Sequence, residues 1–165
     1  MSSTLNKKWL KCVILLSISL MSLPILSTTA LNALEYNESV FEISFISAEY
    51  LDADLDGFED DTRFFVDVDF NPSYFDGTLL RMDADFEIIL PSGTTFAFIG
   101  FIRLESRDCI IQFDVYNTVT EPGWYTINFN AYVKIRMTKY HSFDTIIFDP
   151  PTGTGEGGGS PTIGL

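Results

Sequence analysis

An all-β fold, a seven-stranded antiparallel sandwich, is what this sequence predicts, and three observations predict it. Between Ser39 and Phe148 apolar residues recur with period two, the repeat of strands that bury one face and wet the other. Clusters of Gly, Pro, Asn and Asp interrupt those runs, which is where a chain turns. After the first thirty-odd residues no window carries a convincing helical period.

The chain opens on Lys7, Lys8 and Lys11, followed by an uncharged, mostly apolar stretch over 12–27 and then Thr28-Thr29-Ala30 and Leu31-Asn32-Ala33. Basic start, apolar middle and small-residue end are the layout of a secretory signal helix, expected over 1–33 with cleavage after Ala30 or Ala33. The competing reading is an uncleaved membrane anchor, because the uncharged stretch runs on to Leu34, close to the ~20 residues that a spanning helix needs. Pro24 and the small residues favour cleavage. Cys12 precedes the apolar run, so there is no lipid-attachment box.

The domain proper is expected over 34–149. Strands are read at 39–48, 62–71, 78–90, 94–105, 109–117, 124–137 and 142–148. In the second, Phe64, Val66, Val68 and Phe70 alternate with Phe65, Asp67 and Asp69. In the third, Leu80, Met82, Ala84, Phe86, Ile88 and Leu90 alternate with Arg81, Asp83, Asp85, Glu87 and Ile89. Leu90-Pro91-Ser92-Gly93-Thr94 reads as a hairpin into the fourth, which is apolar on both faces from Phe96 to Ile102. The fifth places Cys109 with Ile111 and Phe113. This lone cysteine of the mature chain is expected to be a buried thiol, leaving no internal disulfide and making a bound metal a natural stabiliser. The sixth alternates Tyr125, Ile127, Phe129, Ala131, Val133 and Ile135 with polar neighbours. Seven strands in about 110 residues match the size and spacing of an immunoglobulin-like sandwich. Residues 150–165 are expected to be a Gly/Pro-rich flexible tail or stalk stub.

Glu121-Pro122-Gly123-Trp124-Tyr125-Thr126-Ile127-Asn128-Phe129 resembles the Pro-Gly-x-Tyr-Thr turn and strand of secreted immunoglobulin-like and PKD-like modules. With the Asp-rich segment 52–61 before the second strand and the stalk after Phe148, the layout resembles a set of archaeal secreted or cell-surface β-sandwich proteins. The resemblance covers most of 39–160 and implies a fold and a location without an activity. It also implies that the Tyr after the turn packs at a corner of the sandwich.

Asp52-Ala53-Asp54-Leu55-Asp56-Gly57-Phe58-Glu59-Asp60-Asp61 concentrates five aspartates. Calcium takes six to eight oxygen ligands, and alternate carboxylates wrap it where a Gly permits a sharp turn. Asp52, Asp54 and Asp56 fill the first, third and fifth positions of a helix–loop–helix calcium loop, Gly57 the sixth and the Phe58 carbonyl the seventh. The twelfth is Arg63, so the bidentate carboxylate of that motif is missing and Asp60 or Asp61 must close the shell. Such closure resembles the D-x-D-x-D-G-x-x-D loops of thrombospondin type 3 repeats. The alternative is an acidic, solvated loop with no preferred metal.

The remaining candidates are weaker. Trp124 offers a stacking platform for a sugar, or packs at the sheet corner beside Pro122. Asn37-Glu38-Ser39 is a glycosylation sequon at Asn37. His141, the only histidine, reads as a turn residue. No phosphate loop, zinc set or nucleophile with a nearby base is present, so no enzyme is predicted. After residue 34 the chain carries seven basic and 23 acidic residues, a balance of −16. That balance disfavours nucleic acid and anionic lipid as partners, leaving membrane contact to the leader or an anchor beyond the C-terminal stalk. The expectation is a secreted or cell-surface, non-enzymatic calcium-stabilised module for adhesion, surface structure or recognition of a protein or glycan. A carbohydrate-binding module or an accessory domain of a secreted enzyme is the alternative.

Overall fold

A computed structural model describes residues 39–75, 79–148 and 162–164. The leader, the Asn37 sequon and most of the Gly/Pro tail lie outside them. Seven antiparallel strands follow in order: β1 (Phe41–Leu51), β2 (Asp61–Phe70), β3 (Leu80–Ile89), β4 (Thr95–Leu104), β5 (Asp108–Tyr116), β6 (Tyr125–Ile135) and β7 (Thr138–Phe148), with a short β8 (Thr162–Gly164). They form two sheets, ordered β1-β2-β5-β8 and β4-β3-β6-β7. Among the described residues no helix is long and apolar enough to cross a membrane.

The period-two pattern is realised strand by strand. Phe64, Val66, Val68 and Phe70 of β2 and Ile127, Phe129, Ala131 and Val133 of β6 point inward and are buried, as are Met82, Ala84, Phe86 and Ile88 of β3. The middle of the core is aromatic. Phe64 stacks on Phe113 at 4.8 Å between ring centres and meets Phe86 edge-on at 5.2 Å, while Phe86 and Phe129 stack at 5.8 Å. Such pairs add to the burial of 150–250 Å² per ring. Cys109 is buried, as its position in the alternation requires.

Two strands depart from the expected spans for identifiable reasons. β1 runs three residues beyond its expected end because a bulge falls between Phe45 and Ser47, where Phe45 pairs with Val66 and Ser47 with Phe65. The extra residue, Ile46, is exposed. The bulge inverts parity: Phe41 and Ile43 face inward before it, and Ala48 and Tyr50 pack against the core after it, so alternation read straight through 39–48 breaks there. β7 starts at Thr138, four residues early, because Arg136 and Met137 alone make the turn from β6, with Arg136 at φ 58°. His141 therefore sits inside a strand opposite Tyr132 rather than in a turn.

The two seams between the sheets are closed differently. At one, β1 and β7 lie side by side, with the Ile43 N–H donating to the Ser142 hydroxyl at 3.1 Å and the Phe45 N–H to an Asp144 carboxylate oxygen at 2.8 Å. At the other, β8 pairs with Asp114–Tyr116 of β5, and Ile163 packs against the core. The end of the tail is thus a strand, because Thr-Ile supplies β-branched side chains and the β5 edge supplies unpaired backbone groups. The expected hairpin at Leu90–Thr94 is present, closed by the Leu90 N–H to the Thr94 carbonyl at 2.8 Å, with Gly93 at φ 87°.

Candidate metal centre

The loop between β1 and β2 is held by its own carboxylates. The Asp56 N–H donates to Asp52 at 3.0 Å and Asp54 at 3.1 Å, the Gly57 N–H to Asp52 at 3.1 Å and the Phe58 N–H to Asp56 at 2.9 Å. Aspartate side chains favour such bonds to backbone two to five residues on. They curl the segment tightly enough that Gly57 at φ 98° and Leu55 at φ 63° enter the left-handed region, unusual for a leucine.

Asp61 is the hub. One of its carboxylate oxygens accepts the N–H groups of Ala53 at 2.7 Å and Asp54 at 3.0 Å; the other accepts the Asn117 N–H at 2.8 Å. The loop is thereby tied to the β5–β6 connection. The neighbouring Asp60 carbonyl accepts the N–H groups of Thr118 at 2.8 Å and Val119 at 2.7 Å, and the buried hydroxyls of Thr62 and Thr118 lie 2.9 Å apart. This second anchor escaped sequence reasoning, since Asn117 and Thr118 look like an ordinary turn more than fifty residues from the loop.

Of the expected ligands, the structure brings together Asp52, Asp54 and Asp61, each offering a carboxylate oxygen within 4.8 Å of the others. Three aspartates therefore stand close enough to hold a metal ion. Asp56 lies outside that trio, turned to the Phe58 N–H. Asp60, the other residue expected to close the shell, also lies outside the trio. Its side chain is 0% exposed, and neither carboxylate oxygen has a hydrogen-bond partner. Desolvation, followed by the charges of Asp61, Asp56 and Asp54, pushes its carboxyl above the ordinary aspartate range. Desolvation also raises Asp54, with Asp61, Asp56 and Asp52 adding to the shift against a backbone hydrogen bond to Asp56. A buried carboxylate without a donor is costly.

The signs give a pH prediction. A carboxyl whose folded pKa lies above its unfolded value binds more protons in the folded state, so its contribution to stability falls as pH rises through that window. Asp54 and Asp60 shift this way, and so does Asp69, raised first by a hydrogen bond to Asp108 opposite it on β5 and then by desolvation. In EDTA the melting temperature is expected to rise as pH is lowered from neutrality toward the carboxylate range. With calcium the rise should flatten, because protons compete for the ligands. An EDTA series with no such rise would remove Asp60 and Asp69 as strained charges.

The other candidates are placed as follows. Trp124, just before β6, is 64% exposed and does not fill the corner. Tyr125 does: it is fully buried, its hydroxyl donating to the Glu121 carbonyl and accepting the Glu121 N–H, each at 2.8 Å. His141 Nε2 lies 3.0 Å from the Asn130 side-chain oxygen and its ring stacks on Tyr132. No family model, curated protein or solved structure matches the chain.

Proposed function

We propose that this chain is a secreted or cell-surface, non-enzymatic module of immunoglobulin-like fold, pinned by calcium at the Asp loop and serving adhesion, surface structure or recognition. The observation that carries the metal is Asp60, a fully buried carboxylate with both oxygens unpartnered beside Asp54, Asp56 and Asp61. Asp52, Asp54 and Asp61 would supply the clustered oxygens, Asp60 the buried one, and Asp56 and the Phe58 carbonyl the remainder. Calcium suits this set because it accepts many oxygens in flexible geometry, whereas magnesium demands a tight octahedron.

The immunoglobulin-like reading is supported by the facing sheets β1-β2-β5 and β4-β3-β6-β7 and by the Tyr125 corner after Pro122-Gly123. Secretion is supported by the order of basic, apolar and small residues over 1–33. The loop's position argues for a structural ion, since it joins strand ends and closes on backbone.

The test is a thermal melt in calcium, in equal magnesium and in EDTA. Extracellular sites of this kind bind at about 10⁻⁴ to 10⁻³ M, so 2–5 mM (about the upper end of that range) is the working concentration. The melting temperature is expected to rise by several degrees in calcium alone, and Asp56→Ala is expected to shrink the rise. Identical melts in all three buffers would sink the calcium site.

A further inference from the structure

We propose that the outer face of the β4-β3-β6-β7 sheet binds a linear anionic polysaccharide through a row of four cations, Arg103, Arg81, Lys134 and Lys139. Strand register assembles the row. Arg81 pairs with Arg103 and Lys134 with Lys139. Arg81 stands one residue before the Met82–Val133 pair, which sets it beside Lys134. Met82 and Val133 are buried, so by alternation all four cations face outward, and all four are exposed. At about 4.8 Å between strands the row crosses the sheet in roughly 14 Å.

Two features set this row apart from a scatter of solubilising charges. Acids outnumber bases 23 to seven after residue 34, yet four of the seven bases stand in one line, with Arg136 beside it in the β6–β7 turn. Like charges directly opposite across strands disfavour a sheet, and the row holds two such pairs, Arg81–Arg103 and Lys134–Lys139. Cations gathered this closely are suited to an anionic ligand. Aromatic rings back the row: the Arg81 guanidinium lies 4.3 Å from the centre of Phe101, Lys139 Nζ lies 4.0 Å from the centre of Tyr132, and Tyr132 stacks on His141 at 4.7 Å. Rings beside cations offer a sugar both stacking and charge.

The surrounding acids select a line-shaped ligand over a plane. Asp83 pairs with Arg81 at 2.7 Å, an exposed contact of little energetic weight. Asp85 and Glu87 follow on the same face of β3, each two residues further, or about 7 Å. A flat anionic membrane laid on the sheet would press against these acids. A polymer running along the row meets the cations and leaves the acids to solvent. The Asp loop lies at the opposite end of the strands, about 30 Å away for ten-residue strands, several screening lengths at physiological salt. The site is therefore independent of the metal.

The test is binding of the full chain, in EDTA, to dextran sulfate, polygalacturonate, neutral dextran and phosphatidylglycerol vesicles. One or both anionic polymers should bind and neutral dextran should not, with binding weakening as salt rises; the two polymers separate a sulfate from a carboxylate preference. Lys134→Gln with Lys139→Gln should weaken binding about thirtyfold, the loss of two cations facing an anionic partner. The same pair of substitutions should not lower the melting temperature, since it removes an opposed like-charge pair, and that separates a lost site from a lost fold. Equal binding by that variant, binding no better than neutral dextran, or binding to vesicles alone would overturn the proposal. So would polymer binding that appears only with calcium, which would place the ligand on the Asp loop.

Discussion

Asp60→Asn is expected to raise the melting temperature in EDTA and to erase the gain that calcium gives the native protein. Without metal, the native chain keeps a fully buried carboxylate that no donor satisfies. An amide there has no charge to desolvate, and relief on the order of 1 kcal/mol follows from the cost of unsatisfied buried groups, about 4 °C for a domain of this size. With calcium the order reverses. At 5 mM ion and dissociation constants of about 10⁻⁴ to 10⁻³ M, binding to the folded state adds roughly 1–2 kcal/mol, and the variant forfeits most of it. Calorimetry of both proteins in both buffers reads the crossing directly. If Asp60→Asn kept the full calcium increment, Asp60 would not be a ligand.

Phe64→Ala is expected to be the most damaging single change in the sandwich. Phe64 is fully buried and touches the rings of Phe45, Phe86, Phe113 and Phe129, so residues of four other strands close around it. Large-to-small changes at such sites cost about 3–5 kcal/mol, since the cavity collapses only in part. Against the roughly 5–15 kcal/mol that ordinary domains possess, that is from about a fifth of the total to all of it. Ile99→Ala is the control: Ile99 is apolar but 72% exposed on β4, and its loss should stay within about 0.5 kcal/mol. Urea midpoints at constant slope separate the two. Equal, small shifts would mean that the aromatic cluster is not what holds the sheets together.

The strands were legible because each writes its burial locally. Val66, Val68, Met82, Phe86, Ile127 and Phe129 announce their inward faces by alternation alone, and the buried Cys109 follows from the same parity. Where a bulge inserts a residue, as at Ile46, alternation loses its phase and the strand looks shorter than it is. The β6–β7 turn hid for a different reason: Arg136-Met137 contains none of the residues that usually mark a tight turn, so the register beyond it was displaced. In the Asp loop, spacing drew out a run of carboxylates, three of which, Asp52, Asp54 and Asp61, the fold brings together. It did not separate the hub Asp61 from the orphan Asp60, because that difference comes from Asn117, Thr118 and Val119 arriving from another connection. The cation row is invisible along the chain for the same reason. Arg81, Arg103, Lys134 and Lys139 become neighbours only when four strands are laid side by side.

The bonds from Asp60 and Asp61 to Asn117, Thr118 and Val119 also bear on the life history of the fold. They join segments whose meeting must wait until β1, β2 and β5 have found one another, and such distant contacts form late on the way to the native state. A cation seated there would strengthen interactions that form after the barrier to folding, so its effect would fall on escape from the folded state rather than on arrival at it. If the chain is the calcium-bearing module proposed above, the loop would act as a latch, setting how long each molecule endures and leaving the speed of its making unchanged.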